Sequence, residues 1–125
     1  MGRAGQVRPR NMTKPVNRLI SETARYARRA GKDITEADVR DRCENYVRRY
    51  GEEKALIALR NTLESFKERA RLEETRLFWL IRAECLQKFG VALANRRTFK
   101  AELRENPGLY ESVPSVQEYQ RRFCN

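Results

Sequence analysis

Two groups of cations carry the chemistry that spacing suggests in this chain. Asn95, Arg96, Arg97 and Thr98, followed by Lys100, gather an amide, two guanidiniums, a hydroxyl and an ammonium within six residues. Set at the exposed start of a helix, Arg pairs with guanine edges and Asn with adenine edges. The second group is Arg3, Arg8, Arg10, Lys14, Arg18, Arg25, Arg28 and Arg29, which only Glu22 opposes within residues 1–31. Seven of the ten units of net positive charge therefore fall in the first 31 of 125 residues. A cationic excess at one end is the footprint of a polyanionic partner, so Arg3, Arg8, Arg10, Lys14, Arg18, Arg25 and Arg29 are read as phosphate contacts to DNA or RNA.

The bases are 21 Arg and 6 Lys. Arginine grips phosphate bidentately and stacks on bases, although a GC-rich genome produces the same ratio for any protein. Enzyme chemistry has little to draw on. There is no histidine, so the commonest general base and neutral metal ligand are both missing. No Gly-rich phosphate loop, H-E-x-x-H or G-x-S-x-G occurs, and Glu52-Glu53 and Glu73-Glu74 read as helix-surface pairs. The expectation is a binding protein and not an enzyme, with no cofactor, no metal and no small-molecule substrate.

Cys43, Cys85 and Cys124 are odd in number and widely separated, which suits free or buried thiols in a reducing compartment. No run of apolar residues is long enough to span a membrane, and residues 1–31 lack a signal-peptide core. Gln6 stands where N-myristoylation wants Ser or Thr. These features point to the cytoplasm, in a bacterial, phage or plasmid setting. The Arg-rich, acid-poor start leaves an organellar transit segment as the alternative.

The elements that must position these groups are helical. Residues 1–12 lack periodicity and read as a flexible basic arm, followed by a single helical domain over 13–125. A first helix runs from about Lys14 to Ala30, with Thr13 as N-cap, Pro15 in the first turn and Gly31 as the stop. Val16, Leu19, Ile20, Thr23 and Ala27 form its inner face, and Lys14, Arg18, Arg25 and Arg29 its outer one. A second helix begins at Thr35 with Asp38 in capping-box position and Ile34 and Val39 as a staple. Its apolar stripe is Val39, Cys43, Val47 and Tyr50, with Tyr46 alongside. Its five acids and five bases cancel over residues 32–50, so it reads as structural.

Residues 52–89 contain neither Gly nor Pro. Leu56, Leu59, Leu63, Phe66 and Ala70 trace a seam that Glu73 interrupts before Leu77 and Leu80 resume it. One helix over this stretch would reach about 57 Å, so it either bends near 68–76 or projects towards another chain. Continuity is the favoured reading. Leu77, Phe78, Trp79, Leu80 and Ile81 are apolar all round and predict burial in the core or at an interface, with self-association or a protein partner through residues 56–81. Trp79, between Arg76 and Arg82, could also stack on a base. A further helix spans about Asn95 to Glu105, and a short one follows Pro114 with Ser115 as cap. The expected fold is all-α, with about five helices: a short N-terminal pair, a long central helix and a C-terminal hairpin.

Within that hairpin, Gly90 with Val91 and Leu93, then Asn95 to Leu103, resembles the turn and second helix of a helix-turn-helix. The turn is longer than usual and Leu86 replaces the common small residue. The alternative is a plain hairpin whose arginines face water. Two functions follow as expectations: a small nucleic-acid-binding accessory or regulatory factor, or an assembly module that docks on protein as an inhibitor or as a subunit of a larger, ribonucleoprotein-type complex. An adaptor for an acidic protein surface is a minor third.

Overall fold

A computed structural model describes residues 14–91, 93 and 95–124. The basic arm, with Arg3, Arg8 and Arg10, and the Thr13 cap lie outside the described residues. The protein is all-α: α1 Lys14–Arg29, α2 Glu36–Tyr50, α3 Glu52–Phe89, α4 Arg96–Glu105, a 3-10 turn Pro107–Tyr110 and α5 Pro114–Phe123. No strand occurs among the described residues. Central α3 is an unbroken helix over its 38 residues. Its exposed polar stretch is laced by ion pairs one turn apart, Glu64–Lys67, Glu68–Arg71 and Glu73–Arg76.

Contacts divide the described residues into two compact units, one up to Arg71 and one from Leu72 onward. In the first, Val16 and Ile20 of α1 pack with Val39 and Cys43 of α2 and Ala55 and Leu59 of α3. Each set recurs at three to four residues, as an amphipathic helix requires. The start of α2 follows its sequence signal: Thr35 N–H donates to Asp38 Oδ2 at 3.0 Å and Asp38 N–H to Thr35 Oγ1 at 3.1 Å. The end of α1 is equally local. Gly31, at φ 86°, lets Lys32 N–H return to Ala27 O at 2.9 Å while its own N–H meets Arg28 O at 3.0 Å. That is a Schellman stop, and its left-handed position favours glycine.

The second unit is built around Phe99. Its ring meets Phe78, Tyr110 and Tyr119 edge-on, with centroids 6.1, 5.2 and 5.3 Å away. Leu77, Ile81, Cys85, Leu103, Val113 and Val116 complete that core. Polar ties hold its rim. Tyr119 donates to Glu74 at 2.6 Å and Tyr110 to Glu102 at 2.5 Å. The α5 terminus departs from the expectation that Ser115 caps it. Val113 occupies the cap position without a side-chain bond, and Ser115, inside the helix, gives its N–H and hydroxyl to Glu84 of α3. A carboxylate at the positive end of α5 satisfies the orphan donor from across the unit.

Candidate nucleic-acid interface

On α1, the face opposite Val16, Ile20, Thr23 and Ala27 holds the cations. Lys14, Arg18, Arg25 and Arg28 are exposed, and no ion pair ties any of them to a carboxylate among the described residues. Lys14 and Arg18, then Arg25 and Arg29, are each one turn apart, so the helix itself aligns the row. Tyr26 organises its C-terminal end. The Arg25 and Arg29 guanidiniums lie 5.9 and 5.2 Å from the ring centroid, and Lys67 of α3 brings its ammonium to 5.5 Å. Cations held over a ring keep their charge while losing rotamer freedom, so the cost of ordering them on a phosphate falls.

The second group of cations is placed differently. Asn95 is the N-cap of α4, and its Oδ1 accepts from Thr98 N–H at 2.8 Å. Lys100 forms an ion pair with Glu74 at 2.9 Å, and Arg96 lies 3.8 Å from the same carboxylate and 3.4 Å from the Thr75 hydroxyl. Arg97 is exposed, with no ion pair among the described residues. The side chains of Asn95, Arg96 and Lys100, three of the five that would read base edges, are thus engaged within the unit. Burial works to raise the Glu74 pKa, but bonds from Tyr119 and Lys100 outweigh it and hold the carboxyl below its usual range. Glu74 therefore stays charged and keeps Lys100 and Arg96 beside it.

Arg76, Arg121 and Arg122 of this unit are paired too. Arg122, only 4% exposed at its side chain, contacts Glu73 at 3.0 Å and Glu118 at 3.2 Å. Glu73 also accepts from Arg76, and that bond and the Arg122 contact outweigh its partial burial and draw its pKa down to about 2. The run Leu77 to Ile81 splits. Leu77, Phe78 and Ile81 enter the core, whereas Trp79 and Leu80 are 56% and 42% exposed. Trp79 lies under Arg82, whose guanidinium is 5.0 Å from the ring centroid. Leu72 and Leu86, seven residues either side of Trp79 on the same helix face, are also more than half exposed.

The C-terminal end of α2 departs from the expected apolar stripe. Tyr50 and Tyr46 were expected on or beside the buried stripe, yet they are 51% and 38% exposed, because the core cluster takes only Val39, Cys43 and part of Val47 from this helix. Arg42, Arg48 and Arg49 stand around them. The cancelling net charge of α2 hid this arrangement. Its acids end at Glu44 and its last turn is basic, a signal visible only when charge is followed along the helix.

The three cysteines are free thiols, Cys43 and Cys85 buried and Cys124 exposed. Among the described residues, no helix is long and apolar enough to cross a membrane and no acidic or thiol cluster could hold a metal ion. Comparison with protein-family models, curated proteins and solved structures finds no match to this chain.

Proposed function

We propose that this protein binds nucleic acid through the cationic face of α1, extended by the basic residues that precede it, and acts as a DNA or RNA accessory or regulatory factor. The supporting observation is the contrast in pairing. The α1 cations Lys14, Arg18, Arg25 and Arg28 are exposed without carboxylate partners, while Arg76, Arg96, Lys100, Arg121 and Arg122 of the second unit are each paired with Glu73, Glu74 or Glu118. Unpaired cations on a rigid helix are free to displace condensed counterions from a phosphate backbone. Such contacts position the protein without selecting a sequence. The function is binding and not catalysis, in the cytoplasm of a bacterium or on behalf of a phage or plasmid.

The test is fluorescence anisotropy with labelled duplex DNA, single-stranded DNA and structured RNA across a salt series. About five simultaneous phosphate contacts give a slope of log K against log salt near −4 to −5 on duplex DNA. Absence of salt-dependent binding to every probe overturns the proposal.

A second reading, an assembly module that docks on its own copy or another protein, is favoured by one observation. Leu72, Trp79 and Leu86 form an exposed apolar row on α3 at intervals of seven residues, the spacing of a seam between paired helices. The two readings are compatible in a ribonucleoprotein-type complex.

A further inference from the structure

The last turns of α2 present an arrangement that helix stability alone does not require. The rings of Tyr46 and Tyr50 lie with centroids 4.6 Å apart, tilted by 51°, and both are exposed. Arg42, Arg48 and Arg49 line the same open concavity with Asn45, and no acid contributes to it. No ion pair joins these three arginines to a carboxylate among the described residues; Arg48 donates instead to Asn45 Oδ1. A helix C-terminus favours Arg48 and Arg49 through its dipole. A tyrosine pair one turn apart adds a few tenths of a kcal/mol to an isolated helix. Arg42 acts electrostatically on Asp38 one turn earlier, but none of these effects accounts for two exposed aromatic rings among three cations.

We infer that Tyr46 and Tyr50, with Arg42, Arg48 and Arg49, form a stacking site for unpaired bases, so that this protein prefers single-stranded nucleic acid to duplex. The inference rests on the nucleic-acid reading and names its substrate class. The chemistry is that of single-strand platforms, in which an aromatic face accepts the flat face of any base and neighbouring guanidiniums hold the phosphates on either side. In a duplex those base faces are stacked on one another and closed to a side chain. The tilt between the rings presents two differently oriented faces, which suits a strand whose bases are splayed. A duplex still meets the α1 cations, so it binds through phosphate contacts alone.

The experiment titrates the full 125-residue chain into labelled dT15, rU15 and a mixed-sequence 15-base-pair duplex, comparing wild type with two double variants. Tyr46→Leu with Tyr50→Leu keeps bulk and helix propensity but removes both π faces, and Tyr46→Phe with Tyr50→Phe keeps them. Wild type is expected to bind the single strands about tenfold or more tighter than the duplex, given the energy of one to two stacked bases. The Leu pair is expected to lose roughly 10- to 100-fold on dT15 and rU15, with less than about threefold change on duplex and an unaltered salt slope. The Phe pair should stay close to wild type. Loss on dT15 alone, or on rU15 alone, supports the stacking site and assigns its sugar preference. Equal loss on single strand and duplex, or no loss, overturns the inference while leaving the phosphate-binding function standing. Failure of wild type to bind any probe overturns both. If the Leu pair loses helicity by circular dichroism, the wild-type ratio of single-strand to duplex affinity decides alone, and a ratio near one overturns the site.

Discussion

Arg122 of α5 reaches back to Glu73 of α3 at 3.0 Å, with its side chain almost wholly enclosed. The contact joins residues 49 positions apart and fastens the last helix to the central one. Glu118, one turn earlier on α5, accepts from a second nitrogen of the same guanidinium at 3.2 Å. Arg122 is thus held by two carboxylates, and Glu73 in turn serves both Arg122 and Arg76.

Removing Arg122 should destabilise the second unit more than removing any exposed arginine. Breaking a buried pair by deleting one partner costs about 3–5 kcal/mol, and retention of Arg76 beside Glu73 places Arg122→Ala nearer about 2–3 kcal/mol. Arg121→Ala, whose side chain is largely exposed, should cost less than about 1 kcal/mol. Denaturant melts of both variants, with amide exchange read in α4 and α5, check this. Equal stabilities would show that the buried contact contributes nothing.

The same carboxylates set an acid limit. Glu73 titrates at about 2 in the folded chain against 4.5 for a free side chain, and Glu74 is also lowered. A depressed folded pKa contributes stability that is complete above the unfolded value and lost as pH falls through the folded one. The second unit should therefore hold its stability at pH 5 to 7 and lose about 1–3 kcal/mol between pH 4.5 and 2. At the other extreme, burial and bonds to Glu74 and Glu102 raise the hydroxyl pKa values of Tyr119 and Tyr110. Both stay protonated in the fold after free tyrosine ionises, so stability should also fall above about pH 10. Midpoints of urea unfolding across pH test both limbs. A Glu73→Gln variant should flatten the acid one.

The nucleic-acid reading separates the two groups of cations. Arg18→Ala with Arg25→Ala should reduce the salt slope on duplex DNA by about two units without altering helicity. Arg96→Ala with Lys100→Ala should change the slope by less than about half a unit, because both side chains are already held against Glu74. Its main effect should be on the stability of the second unit. A large slope change in the second pair would restore α4 as a binding element.

Much of this architecture was legible in the sequence, and the exceptions share a cause. The Thr35–Asp38 capping box, the Gly31 stop and the seam of Leu59, Leu63 and Ala70 depend on residues a few positions apart, so local spacing reveals them. The engagement of Arg96 and Lys100 depends on Glu74, more than 20 residues earlier. Nothing in the 95–100 segment signals it. The run Leu77 to Ile81 is apolar on all sides, yet a helix packed from one direction buries only part of its circumference, and Trp79 and Leu80 fall on the remainder. Tyr46 and Tyr50 followed the period of a buried stripe that stops at Val47 because no further core residue meets the helix there.

Trp79 supplies a direct test of the assembly reading. Its indole is more than half exposed in the single chain, between Leu72 and Leu86 on one face of α3, with Ala83 also exposed along the same row. Pairing two such rows would withdraw Trp79 from water and bury most of each leucine, at about 25 cal/mol per Å² of apolar surface. The expected outcome is a blue shift of Trp79 emission as protein concentration rises, tracking a dimer in sedimentation equilibrium. Leu86→Glu should abolish both changes while leaving the second unit folded, because Leu86 lies outside its core. Leu77→Glu should instead unfold that unit, since Leu77 is 3% exposed within it. A wild-type chain that remains monomeric at high concentration, with Trp79 fully open to acrylamide quenching, would rule out self-pairing through this row.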